Sequence, residues 1–118
     1  VMTGHTDSLL RLFDHIPDDN IGVNMDISWT YIQREDGLAI YKLGKKLWHI
    51  HARDGDALSC YMLPVGEGTL NWENIIRALK RVGFDGYFSL EWAHVDNSEK
   101  WAKESQLYVK KLIDTIEP

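Results

Sequence analysis

Ile21-Gly22-Val23-Asn24-Met25-Asp26 is a short alternating run that stops on a carboxylate, and the same kind of ending recurs twice further along the chain. Trp48-His49-Ile50 closes on His51, and Tyr87-Phe88-Ser89-Leu90 closes on Glu91. Successive side chains of a strand point to opposite faces. If Asp26, His51 and Glu91 share one face, then Gly22, Asn24, His49, Arg53, Tyr87 and Ser89 share it with them. The other face carries Ile21, Val23 and Met25, then Trp48, Ile50 and Ala52, then Phe88 and Leu90. A polar face and an apolar face are what strands show when they line a barrel axis on one side and pack against helices on the other. An antiparallel sheet with one wet face would alternate in the same way. Helical stretches between the runs argue against the hairpins such a sheet needs.

Those stretches are legible from periodicity and caps. A first helix is expected from about Thr6 to His15, capped by Thr6 or Asp7, with Leu9, Leu10 and Phe13 at helical spacing and Pro17-Asp18-Asp19-Asn20 ending it. A second is expected from about Gly37 to Lys46 behind Asp36. Asn71 caps a third, whose Trp72, Ile75, Ile76, Leu79 and Val82 repeat at the helical period up to Gly83. A last helix opens at Asn97 or Ser98, with Trp101, Ser105, Tyr108 and Leu112 in one line. Strands alternating with helices of this length signal right-handed βαβ units and a parallel sheet. In a barrel of such units the carboxyl ends of the strands carry the chemistry, and about 250 residues close it. A chain of 118 residues is therefore expected to be roughly the carboxy-terminal half of an enzyme.

Composition excludes several classes. Hydrophobic content of 44% with 26% charge is ordinary for a globular domain. No apolar run is long enough to span a bilayer, and Val1-Met2-Thr3-Gly4-His5 lacks the pattern of a signal peptide. A soluble cytoplasmic protein with no membrane partner is the expectation. The single cysteine, Cys60, is read as inert. A net charge of -5 argues against a nucleic-acid surface.

Four segments in order carry a resemblance: Asn20-Ile21-Gly22-Val23-Asn24-Met25-Asp26, His51-Ala52-Arg53-Asp54, Gly66-Glu67-Gly68-Thr69-Leu70-Asn71-Trp72, and Gly83-Phe84-Asp85-Gly86-Tyr87-Phe88-Ser89-Leu90-Glu91. Together, over Asn20 to Leu112, the chain resembles the xylose-isomerase-like sugar phosphate isomerase/epimerase superfamily. The resemblance implies an α/β fold, a partial (β/α)8 TIM barrel comprising about the last three βα units preceded by one helix, with residues 1–118 as its carboxy-terminal part. It also implies a divalent metal at the barrel mouth, held by a Glu, an Asp, a His and a second Glu. The matching positions are Asp26, His51 and Glu91, and the first Glu would precede Val1.

Two carboxylates and an imidazole suit Mn²⁺, Mg²⁺ or Co²⁺, with Zn²⁺ admissible, and the lack of thiolates argues against a structural zinc cluster. Removal of the proton beside a sugar carbonyl gives an enediolate, whose charge a divalent ion stabilises. By resemblance, Glu91 is the catalytic acid/base. Arg53 either binds a substrate hydroxyl or phosphate or forms a structural ion pair. Asp54 either orients a metal ligand from behind or caps its own turn. Many members carry Asp-x-x-His after the sixth strand, but Asp26-Ile27-Ser28-Trp29 has Trp29 there, so a second metal is not expected. The indole either stacks on a sugar or packs. His49 is read as a hydrogen-bonded core histidine.

The expected function is a divalent-metal-dependent sugar or sugar-phosphate isomerase/epimerase with a small-molecule sugar substrate. A dehydratase or lyase on a cyclitol or keto-sugar, and a noncatalytic barrel fragment, are the alternatives. An apurinic endonuclease is disfavoured, because Trp29 displaces a zinc ligand. The cut barrel exposes two sheet edges, so a homo-oligomer or association with the missing barrel half is expected.

Overall fold

The structure, a computed structural model, describes residues 4–56, 58, 62–93 and 96–118. Cys60 and His94 lie outside the described residues. The elements run α1 (Thr6–His15), β1 (Val23–Asp26), α2 (Ile27–Ile32), α3 (Asp36–Leu43), a 3-10 turn (Gly44–Lys46), β2 (Leu47–Ala52), α4 (Trp72–Val82), β3 (Tyr87–Leu90) and α5 (Ser98–Thr115). The three strands form one parallel sheet in the order β1-β2-β3. The antiparallel alternative is thereby excluded, and the architecture is the α/β fold of a partial barrel. No helix among the described residues is long and apolar enough to cross a membrane.

Strand parity holds where the core forms. Val23, Met25, Ile50 and Ala52 are buried on one face of the sheet, in one cluster with Ala39, Ile40 and Leu43 of α3 and Trp72, Ile75, Ile76 and Leu79 of α4. Burial of this apolar surface is what fixes the helices to the sheet. Trp48 departs from the pattern. It is 44% exposed at the foot of β2, where its Nε1 donates to Lys45 O at 3.1 Å. Its ring fills the space a side chain at Gly22 would need, so a residue with a Cβ there would collide with the indole.

Helix ends follow local chemistry in some places and tertiary contacts in others. Asn71 Oδ1 accepts from Asn74 N at 3.0 Å, and Gly83 closes α4 at φ 65°, a left-handed conformation that suits glycine. α1 is not capped by its own Thr6 or Asp7. Instead Glu35 Oε2 accepts from Thr6 N at 3.0 Å and from Thr6 Oγ1, and Lys42 joins Glu35 Oε1 at 3.2 Å to Asp7 Oδ1 at 2.8 Å. The N-cap residue of α3 is Glu35 rather than Asp36, and its side chain serves α1. The short helix α2 was not expected. It begins directly after β1 because Asp26 Oδ1 accepts from Ser28 N and Trp29 N, the N-cap arrangement.

Candidate active site

The parallel register sets Asp26 beside His51 and His51 beside Ser89. Glu91 lies just beyond the end of β3, its N–H donating to Ala52 O at 2.9 Å. The three residues expected to hold a metal therefore reach the same end of the sheet, and Arg53 stands among them. Arg53 is 1% exposed; its Nε donates to Asp26 Oδ2 at 2.8 Å, and its Nη2 lies 2.7 Å from the same oxygen as an ion pair. Its Nε is also 3.9 Å from Glu91 Oε2.

Asp26 is thus doubly engaged: one oxygen caps α2 and the other accepts from Arg53 Nε within an ion pair. His51 and Glu91 meet directly, with Nδ1 and Oε2 3.4 Å apart. On the far side of the ring, Asn24 Nδ2 lies 3.1 Å from His51 Nε2. With the amide nitrogen donating, Nε2 accepts, so the neutral ring carries its proton on Nδ1, the nitrogen on the Glu91 side. Arg53 Nη1 and Glu91 Oε2 are buried without a hydrogen-bond partner among the described residues. Buried polar atoms are rarely left so, and here they mark where a ligand could bind.

Among the described residues, no three His, Cys, Asp or Glu side chains stand close enough to share one cation. His51 and Glu91 do converge, and their imidazole and carboxylate are suitable donors for a hard divalent ion. Asp26 is paired with Arg53. The chemistry of the His51 and Glu91 donors fits such an ion, and the Asp26 carboxylate is engaged by Arg53.

Trp29 is 43% exposed at the rim, its ring 5.8 Å from Arg53 Cζ. Of the two roles considered for Asp54, its hydrogen bonds are those of a loop organiser. Wholly buried, it accepts from Gly55 N (2.9 Å) and Leu70 N (3.1 Å) on Oδ1, and from Gly66 N (2.9 Å) and Trp72 Nε1 (2.7 Å) on Oδ2. None of these reaches Asp26, His51 or Glu91. Tyr108 packs against the same loop at Gly66. Burial, and then the Asp54 carboxylate, push its phenol above the ordinary value. His49 Nε2 meets Ser89 Oγ at 2.7 Å, with its ring edge-on to His51 at 5.0 Å. Sequence reasoning missed the contact of Asn24 with His51. Its signal was the i, i+2 spacing from Asp26 on the polar face.

The profile of the xylose isomerase-like TIM barrel family matches residues 2–112. The uncharacterized protein MJ1311 of Methanocaldococcus jannaschii is 29% identical over 97 residues, which are 80% of this chain and 33% of that protein. Fructoselysine 3-epimerase of Escherichia coli O157:H7 is 25% identical over 111 residues, 93% of this chain and 38% of that enzyme. A crystal structure of a D-tagatose 3-epimerase-like protein matches with a TM-score of 0.86 at 26% identity, over 98% of this chain and 43% of that one. The chain thus spans between 33% and 43% of the length of these relatives.

Proposed function

The chain belongs to the xylose isomerase-like TIM barrel family, and on that premise we propose that the barrel it helps to form is a sugar or sugar-phosphate isomerase/epimerase working with a divalent metal. The names of two relatives, fructoselysine 3-epimerase and D-tagatose 3-epimerase-like protein, support the sugar class. The observation that carries the reading is the approach of His51 Nδ1 to Glu91 Oε2 at 3.4 Å, at the strand ends where Asp26 also lies.

In this reading Asp26, His51 and Glu91 hold the ion, with Mn²⁺, Mg²⁺ or Co²⁺ preferred by the oxygen-rich donor set. When bound, the ion supplies a Lewis acid for the substrate's oxygens. Glu91 is one of two acid/bases that move the proton on the carbon beside the sugar carbonyl, and the first Glu of the ligand set, which lies outside this sequence, is the other, so that removal and return can occur on opposite faces. Arg53 offers Nη1 to a substrate hydroxyl or phosphate, and Trp29 offers its exposed ring to a sugar face. Asp54 acts at one remove, by fixing the loop that follows Arg53.

The same reading includes a cytoplasmic setting and completion of the sheet at its two open edges, by further barrel units or by a second copy. The test is to incubate the complete protein with Mn²⁺ and a panel of keto-sugars in D2O. Interconversion of epimers or aldose–ketose pairs, with deuterium entering at the carbon beside the carbonyl, is expected. No exchange across pentuloses, hexuloses and their phosphates would remove the assignment.

A further inference from the structure

We propose that Arg53 is a resident counter-ion that competes with the divalent metal for Asp26, so that loading the site requires the guanidinium to let that carboxylate go. The proposal rests on the metal reading above and adds to it a determinant of metal affinity. An ionised carboxylate offers about four acceptor positions. In Asp26 two are met by backbone N–H groups of Ser28 and Trp29 and one by Arg53 Nε, while Nη2 lies 2.7 Å from the same oxygen as an ion pair. The backbone donors are fixed by the start of α2. The guanidinium is the occupant that can move.

Arg53 is well suited to the role of a stand-in cation. A guanidinium's planar fork binds carboxylates in a fixed geometry that a point charge does not share. It is 1% exposed and lies between the two carboxylates, on Asp26 Oδ2 and within 3.9 Å of Glu91 Oε2. That position accounts for the failure of Asp26, His51 and Glu91 to close into one three-donor group. The guanidinium also has somewhere to go, because the ring of Trp29 lies 5.8 Å from its Cζ and opens to solvent. Arg53 against the indole would keep a cation–π contact while freeing Asp26. Its charge would remain near the ion and still weaken binding.

Calorimetric titration of the complete protein with Mn²⁺ tests this. Arg53→Met, which keeps the stem and removes the charge, should bind Mn²⁺ at least about tenfold more tightly than the parent, a change of the size that groups around metal ligands commonly cause. Arg53→Lys, with charge but no fork, should fall between. Equal or weaker binding by Arg53→Met overturns the competition and makes Arg53 a support for Asp26. A second measurement needs no stable uncharged variant. The Arg53 Nε–H resonance of the wild-type protein, assigned by its loss in Arg53→Lys, should shift as Mg²⁺ is added, with the midpoint of ion binding. A resonance unmoved at saturation also overturns the proposal. If wild-type and variants take up neither ion, the metal reading falls and the competition falls with it, an outcome distinct from a wild-type protein that binds while Arg53 stays put.

Discussion

His51 and Glu91 face each other across β2 and β3, imidazole Nδ1 to carboxylate Oε2, at 3.4 Å. The ring is steadied from behind by Asn24, so the nitrogen nearest the carboxylate is held in place. Glu91→Gln keeps the shape of the side chain and its partly exposed setting, and should leave the fold intact. As an amide cannot accept the substrate proton, turnover of the complete enzyme should fall by about 10² to 10⁴. Circular dichroism alongside sugar-epimerisation assays would check both halves, and near-normal turnover would exclude Glu91 as the acid/base.

The Glu35 tie predicts an acid-sensitive component of stability. Burial pushes the Glu35 carboxyl up, but the hydroxyl and N–H of Thr6 and the Lys42 ammonium outweigh it, and the group titrates below its ordinary value of 4.5. A carboxyl whose pKa is lowered on folding stabilises the protein above its unfolded value, and that contribution is lost as pH falls through the folded value. Glu35→Gln should therefore melt at a lower temperature than wild type at neutral pH. The gap should close as the buffer is taken well below pH 4.5. A gap independent of pH would assign the effect to packing.

Asp54→Asn replaces one acceptor oxygen by an NH₂ that must point at backbone donors or at Trp72 Nε1. Leaving such buried groups unpaired costs roughly 2–3 kcal/mol, and a urea transition of the complete barrel should shift by that amount. Mn²⁺ affinity should be little changed, as expected of a loop organiser. Reduced affinity at unchanged stability would instead give Asp54 a part in orienting a metal ligand.

Trp29→Ala should act on substrate more than on the chemical step. Loss of a ring face at the rim is worth ~1 kcal/mol, which is near a fivefold rise in KM with kcat largely kept. A fall in kcat at constant KM would mean that the indole positions Arg53 rather than the sugar.

Residues 1–118 expressed alone should self-associate, because β1 and β3 each lack a neighbour on one side among the described residues. Sedimentation velocity at micromolar concentration is the check, and a cooperatively melting monomer would show these units to be self-sufficient.

Where local rules and packing agree, the sequence was readable. α4 was legible from Asn71, Gly83 and its apolar repeat, because cap, period and burial all point one way. The polar face of the sheet was legible because alternation is geometric. The short helix α2 was not: Ile27-Ser28-Trp29-Thr30-Tyr31-Ile32 has little helical propensity, and it forms because Asp26 caps it. Nor was the pairing of Arg53 with Asp26, 27 residues away, since parity gives a face but not a partner. Asp26, read as a ligand, is also a cap and half of an ion pair.

The carboxylate that seats the first turn of α1 comes from Glu35, 29 residues downstream and on the far side of β1. Lys46 adds to the join by lying 5.4 Å from the Phe13 ring. For anyone recombining halves of such barrels, the consequence is where the breakpoint belongs. A crossover in Pro17-Asp18-Asp19-Asn20 resembles a clean linker on paper, yet it would part Thr6 from the Glu35 carboxylate to which it donates. Chimaeras that exchange α1 and α3 together should be recovered as soluble proteins far more often than those that divide them.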